Sequence, residues 1–108
     1  MNKHKNKGDK AEREAAELLT EVTGYQVERR FGAGQEKDKG DLVGIPNSVV
    51  QVANYKDTSR ACLVKPREAE EQRKNAGVDH AMTMVRWRGG NWRVVLTVEQ
   101  YARLICRC

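Results

Sequence analysis

Asp41 and Gln51, polar residues of the stretch DLVGIPNSVVQVANYK at 41 to 56, give this chain its clearest chemical signal. A turn at Pro46, Asn47 and Ser48 would fold the stretch into a hairpin, with Asp41 opening one strand and Gln51 midway along the next. A carboxylate and an amide oxygen then meet at one end of two strands. Such oxygen donors suit a hard divalent cation, Mg2+ or Mn2+, that keeps several of its waters. A third oxygen donor comes from upstream. At about 100° per residue, Ala11, Ala15, Ala16, Leu18, Leu19 and Val22 share one helix face, and Glu12 falls inside that arc near the line of Leu19. A charge on a buried stripe is costly unless something pairs with it, so Glu12 requires an arginine or a metal.

These residues need elements to position them. Residues 1 to 8, carrying Lys3, Lys5 and Lys7, read as a mobile basic arm ahead of a single domain at 9 to 108. Asp9 caps a helix that runs to about Thr23, where Gly24 stops it. Arg13, Glu14, Glu17 and Glu21 fall on its solvated side. Tyr25 to Phe31 forms a strand ending in Arg29 and Arg30. The glycine-rich loop 32 to 40 follows, with Lys37 and Lys39 suited to phosphates but without the lysine and Ser/Thr of a nucleotide-binding loop. In Val49 to Tyr55, alternation sets Val49, Gln51, Ala53 and Tyr55 on one face and Val50, Val52 and Asn54 on the other, with Lys56 continuing the second set. A polar helix begins near Pro66 and ends at Gly77, with Ala69 and Ala76 as its small buried contacts. Strands Ala81 to Arg88 and Asn91 to Leu96 flank Gly89-Gly90, with Arg86, Arg88 and Arg93 nearby. Thr97 and Gln100 form a capping box for a last helix whose apolar stripe is Val98, Tyr101, Ala102 and Ile105. The order helix, three strands, helix, two strands, helix predicts an α/β domain with a mixed sheet flanked by helices.

At 108 residues the chain has length for one core, which makes dimerisation plausible. Twenty lysines and arginines against 15 acidic residues give a net charge of +5 and favour a polyanionic partner, above all nucleic acid. Three cysteines without a CxxC pair, and histidines as distant as His4 and His80, exclude a zinc cluster. No apolar run approaches the roughly 18 residues of a membrane span, and the N-terminus lacks the apolar core of a signal peptide. A reduced, cytoplasmic protein needing no small-molecule cofactor is expected.

Three segments resemble the PD-(D/E)xK nuclease superfamily, and within it the archaeal-type and phage-encoded Holliday junction resolvases. KGDKAERE at 7 to 14 is similar to the family's first-helix motif, GDLVGIP at 40 to 46 to its aspartate strand, and VVQVANYKD at 49 to 57 to its ExK strand. The resemblance implies a restriction-endonuclease-like fold. It implies a metal site of Glu12, Asp41, Gln51 and the backbone carbonyl of Val52, with Ala53 at the lysine position. Arg13, Arg30 and the loop after it would contact the junction, alongside Lys3, Lys5, Lys7, Arg29, Lys37, Lys39 and Lys56. The activity implied is a Mg2+-dependent endonuclease that resolves four-way junctions as a symmetric homodimer by paired nicks.

Glutamine for glutamate also occurs in relatives resembling Mrr-type nucleases, and a duplex nuclease of that kind is the alternative enzyme reading. Alanine for lysine has three explanations: a deliberate inactivating substitution, a lysine supplied by Lys65 or Lys74 of the second helix, or a pseudo-nuclease that only binds DNA. The intact surroundings favour the first.

Overall fold

Alanine and leucine at helical spacing make the first element a helix, and the same residues bury it. In the computed structural model, residues 3–30, 40–54, 56 and 58–106 are described, with side chains in the first helix from residue 10 onward. Helix α1 spans Lys3–Thr23 and buries Ala11, Ala15, Ala16 and Leu19. It starts at Lys3 rather than at Asp9 and runs through Gly8. Gly24, at φ 81°, ends it by donating its N–H to Thr20 O.

Among the described residues five strands follow: β1 (Glu28–Arg29), β2 (Leu42–Val43), β3 (Ser48–Asn54), β4 (His80–Trp87) and β5 (Asn91–Val95). They form one mixed sheet in the order β1-β2-β3-β4-β5, antiparallel throughout except for the parallel pair β3 and β4. Helix α2 (Lys65–Ala76) makes the crossover between that pair, and α3 (Val98–Ile105) closes the chain. The mixed α/β class expected from the sequence is therefore observed. The first strand is shorter than the Tyr25 to Phe31 expected: Tyr25 is half exposed, Val27 is buried, and Phe31 lies outside the described residues.

Each side of the sheet has its own cover. Val50 and Met84, with Leu42 and Val27, pack against Ala15, Ala16 and Leu19 of α1. On the opposite side Ala53 and Val85 pack against Ala61. Ala61 belongs to a π-helical run, Arg60–Val64, that leads straight into α2 and that residue spacing did not reveal. Asn47 (φ 55°) fastens the β2–β3 turn to the start of β4, donating to Asp79 Oδ2 and accepting from the Asp79 N–H. Gly44 holds the other end together. Its φ is 119°, and a Cβ there would collide with Gln26 O, so β2 can lie close to the chain entering β1 only without a side chain.

Helix α3 departs most from expectation. Its capping box forms as predicted, yet Val98, Tyr101 and Ile105 point outward at 81%, 55% and 61% exposure. The anchor is polar instead. Gln100, fully buried, donates to Pro66 O and to Glu70 of α2, and Arg103 adds a 2.8 Å bond to Glu70. Ala76 is only half-buried, whereas Ala69 is fully buried.

Candidate functional site

Asp41 sits where β2 is irregular. Its N–H donates to Val50 O although the Cα partner of Val50 is Leu42, so two residues of one strand face one of the next, the count of a β-bulge. The bulge re-aims the side chain, and Asp41 Oδ2 accepts the Val52 N–H at 2.8 Å. N–H and C=O of one strand residue point to the same side. The Val52 carbonyl therefore faces the side on which the Asp41 carboxylate lies. Arg30 donates its own N–H to Asp41 O, and its side-chain Nε is buried without a hydrogen-bond partner.

Gln51 follows the alternation and turns its side chain away from α1. It is 3% exposed, and its Nε2 donates to Glu68 Oε2 of α2 at 3.0 Å. Only the amide NH2 can donate to a carboxylate, so this bond fixes which way the amide lies. Gln51 Oε1 is then left buried with no partner. Thr83, its register partner on β4, is fully buried with an Oγ1 in the same state.

Glu12 lies on the other side. Its Oε1 accepts from Arg29 Nε at 3.1 Å, the arginine partner that the stripe position demanded. The sheet therefore stands between Glu12 and Gln51, while Asp41 sits at the bulge between them. Glu14, expected on the solvated side, instead bonds Arg86 Nε of β4 at 2.6 Å. Among the described residues, no three His, Cys, Asp or Glu side chains lie close enough to hold one metal ion.

Ala53 is 8% exposed and enclosed by Ala61 and Val85. Around Glu68 the charges are dense: Lys65 Nζ lies 3.4 Å from Oε2 and Arg60 3.3 Å from Oε1. The Gln51 hydrogen bond does most to hold the Glu68 carboxyl below its ordinary value, against burial and with help from Lys65 and Arg60. Lys74, the other lysine considered on α2, pairs with Glu71 on the exposed side, at 3.8 Å. The residue that spacing missed is Glu68. Its only sequence signal is the i,i+3 pair Lys65–Glu68 opening a helix too polar to be a simple core element.

Of the expected DNA contacts, Arg13 and Lys56 are exposed, Arg29 is engaged by Glu12, and Arg30 is half-buried beside Asp41. The side chains of Lys3, Lys5 and Lys7, and all of Lys37 and Lys39, lie outside the described residues. Cys62 and Cys106 are free thiols, and no described helix is long and apolar enough to cross a membrane.

Comparisons of the chain with protein-family models, with curated proteins and with solved structures each give no match.

Proposed function

We propose that this protein is a divalent-metal-dependent DNA endonuclease that acts on four-way junctions as a symmetric dimer. One observation carries the reading: a bulge aims the Asp41 carboxylate at the β3 backbone beside Gln51, whose buried amide oxygen lacks a partner. Asp41, the Val52 carbonyl and Gln51 Oε1 are oxygen donors of the kind Mg2+ takes, and they would hold it. Bound there, the metal would polarise the phosphate and lower the pKa of a bound water. The chain's own residues do the rest: Arg13, Lys56 and the net charge of +5 draw in the polyanion. Two-fold symmetry matches a junction's two equivalent phosphates. The outward stripe of Val98, Tyr101 and Ile105 is apolar surface that a second copy would cover. The test is a synthetic junction with Mg2+. Paired nicks, with linear duplex left intact, are expected; free cutting of linear duplex would favour the Mrr-like alternative.

A non-catalytic DNA-binding protein is the second reading, favoured by the packing of Ala53. Ala61 and Val85 fill the space that a lysine at position 53 would need. That packing also argues against a substitution made in an otherwise open site. Junction binding that a chelator leaves unchanged, with no cleavage in Mg2+ or Mn2+, would establish this reading instead.

A further inference from the structure

We infer that the α2 side of the β4–β5 hairpin binds single-stranded DNA, stacking an unpaired base on Trp87 and holding its phosphate with Arg93. The inference rests on the DNA-binding half of the proposed function and deepens it, and it requires neither metal nor cleavage. The hairpin tip, RWRGGNWR at 86 to 93, carries three arginines and two tryptophans with no acidic residue. Arginine brings charge to a phosphate, and an aromatic ring gives any base a face to stack on, which is the combination that single strands require.

Strand register decides which side each residue takes. Val85 pairs with Ala53 on one flank and with Arg93 on the other, and Trp87 pairs with Asn91, so Trp87, Asn91, Arg93 and Val95 share the α2 side. Arg86 and Trp92, register partners, face α1 instead, where Arg86 bonds Glu14 and Trp92 packs against the core. Trp92 therefore has a structural role. Trp87 packs on the Ala53, Ala61 and Val85 cluster and, with Asn91, Arg93 and Val95, lines a cavity of about 380 Å³ that is open to solvent. A shallow, largely apolar cavity beside a guanidinium suits a flat ring with an anionic tail better than an enclosed small molecule.

Three further features favour a DNA strand as the occupant. Arg93 is exposed, its Nη1 donates to the adjoining Trp92 O at 2.9 Å, and it has no ion-pair partner among the described residues, so its charge is open to a phosphate. Gly89 and Gly90, at φ 73° and 76°, make a tip without side chains beside Asn91, whose amide is held by a 3.0 Å bond to Arg88 O. Trp87 Nε1 is buried without a partner, so the indole offers the cavity ring surface rather than a polar bond. A second copy of the chain is the poorer occupant, because two-fold contact here would set Arg88 and Arg93 against their own counterparts.

The test titrates the full chain with oligothymidylate and, separately, with an abasic oligonucleotide of equal length, and reads tryptophan fluorescence and affinity. The chain holds two tryptophans, so in Trp92→Phe protein the signal comes from Trp87. Oligothymidylate is expected to quench it saturably and to bind about 10-fold more tightly than the abasic strand. Trp87→Leu is expected to abolish that difference while leaving abasic binding unchanged. Arg93→Met is expected to weaken both strands and to reduce the slope of log affinity against log salt by about 0.7. Equal affinity for the two strands in the unaltered chain overturns the inference, and this comparison needs no variant to fold. Binding without quenching, or a Trp87→Leu protein that keeps the full difference, also overturns it. A junction still bound or cut in any of these cases leaves the proposed function standing. A chain that binds neither strand nor junction removes both. Base-dependent binding without cleavage in Mg2+ supports the site and selects the non-catalytic DNA-binding reading.

Discussion

The two sides of the sheet treat polar groups differently. Under α1 Glu12 pairs with Arg29, Glu14 pairs with Arg86 and Thr20 Oγ1 accepts the Val27 N–H, around an apolar contact. Under α2 the polar atoms are more deeply buried and less completely satisfied: Gln51 Oε1 and Thr83 Oγ1 are both without a hydrogen-bond partner. A buried acceptor with no donor costs about 1–3 kcal/mol, so a fold optimised for stability alone would have removed it. The α1 side is built to hold the sheet together. The α2 side carries groups that lower its stability.

Filling the tightest point of the α2 side gives the largest expected effect. Ala53→Lys would force an ammonium and four methylenes between Ala61 and Val85, and is expected to cost about 3 kcal/mol or more in urea unfolding. A stable Ala53→Lys protein would mean that the π-helical run opens easily, and would restore the idea of an alanine placed in a lysine's site. On the α1 side, Arg86→Met removes one end of a half-buried ion pair and should cost about 1 kcal/mol. Equal losses from the two substitutions would erase the contrast between the sides.

Acid should loosen the α2 side at the contact with α3. Burial pushes the Glu70 carboxyl up, but hydrogen bonds from Gln100, Arg103 and Arg73 outweigh it and leave the group below its ordinary value of 4.5. A carboxyl whose folded pKa is depressed adds stability above its unfolded pKa and loses it as pH falls through the folded one. Stability is therefore expected to decline below about pH 4.5, less steeply in Glu70→Gln, as read from denaturant midpoints between pH 6 and 2. Parallel acid limbs in the two proteins would show that Glu70 does not report on this contact.

Local signals were legible in the sequence wherever one residue settles the backbone. Gly24 and Gly77 end helices, Thr97 with Gln100 caps α3, and period-two alternation placed Gln51 and Ala53 on one face and Val52 on the other. The same alternation did not say which helix covers which face. That depends on the crossover through α2 and on how the π-helical run leads into it, neither of which leaves a residue pattern. Glu12 and Gln51 were for this reason expected together and lie on opposite sides. The stripe of α3 misled in another way: its spacing is sound, but the crossover helix offers Pro66 O and Glu70 as partners, so Gln100 rather than Val98 turns inward.

Thr83→Val is the smallest change and the sharpest probe of the contrast. The two side chains have nearly the same shape, so valine fills the space of threonine while removing a hydroxyl that nothing engages. At a satisfied site, losing such a hydroxyl would sacrifice a hydrogen bond and lower stability. At Thr83, fully buried and in register with Gln51, the change should instead raise stability by about 0.5–1 kcal/mol, seen as a higher urea midpoint at constant slope. If the hydroxyl serves a bound ion, the gain in the free protein should come with weaker Mn2+ binding. A loss of stability in Thr83→Val would mean that the hydroxyl is already engaged, and would place the α2 side on the same footing as the α1 side.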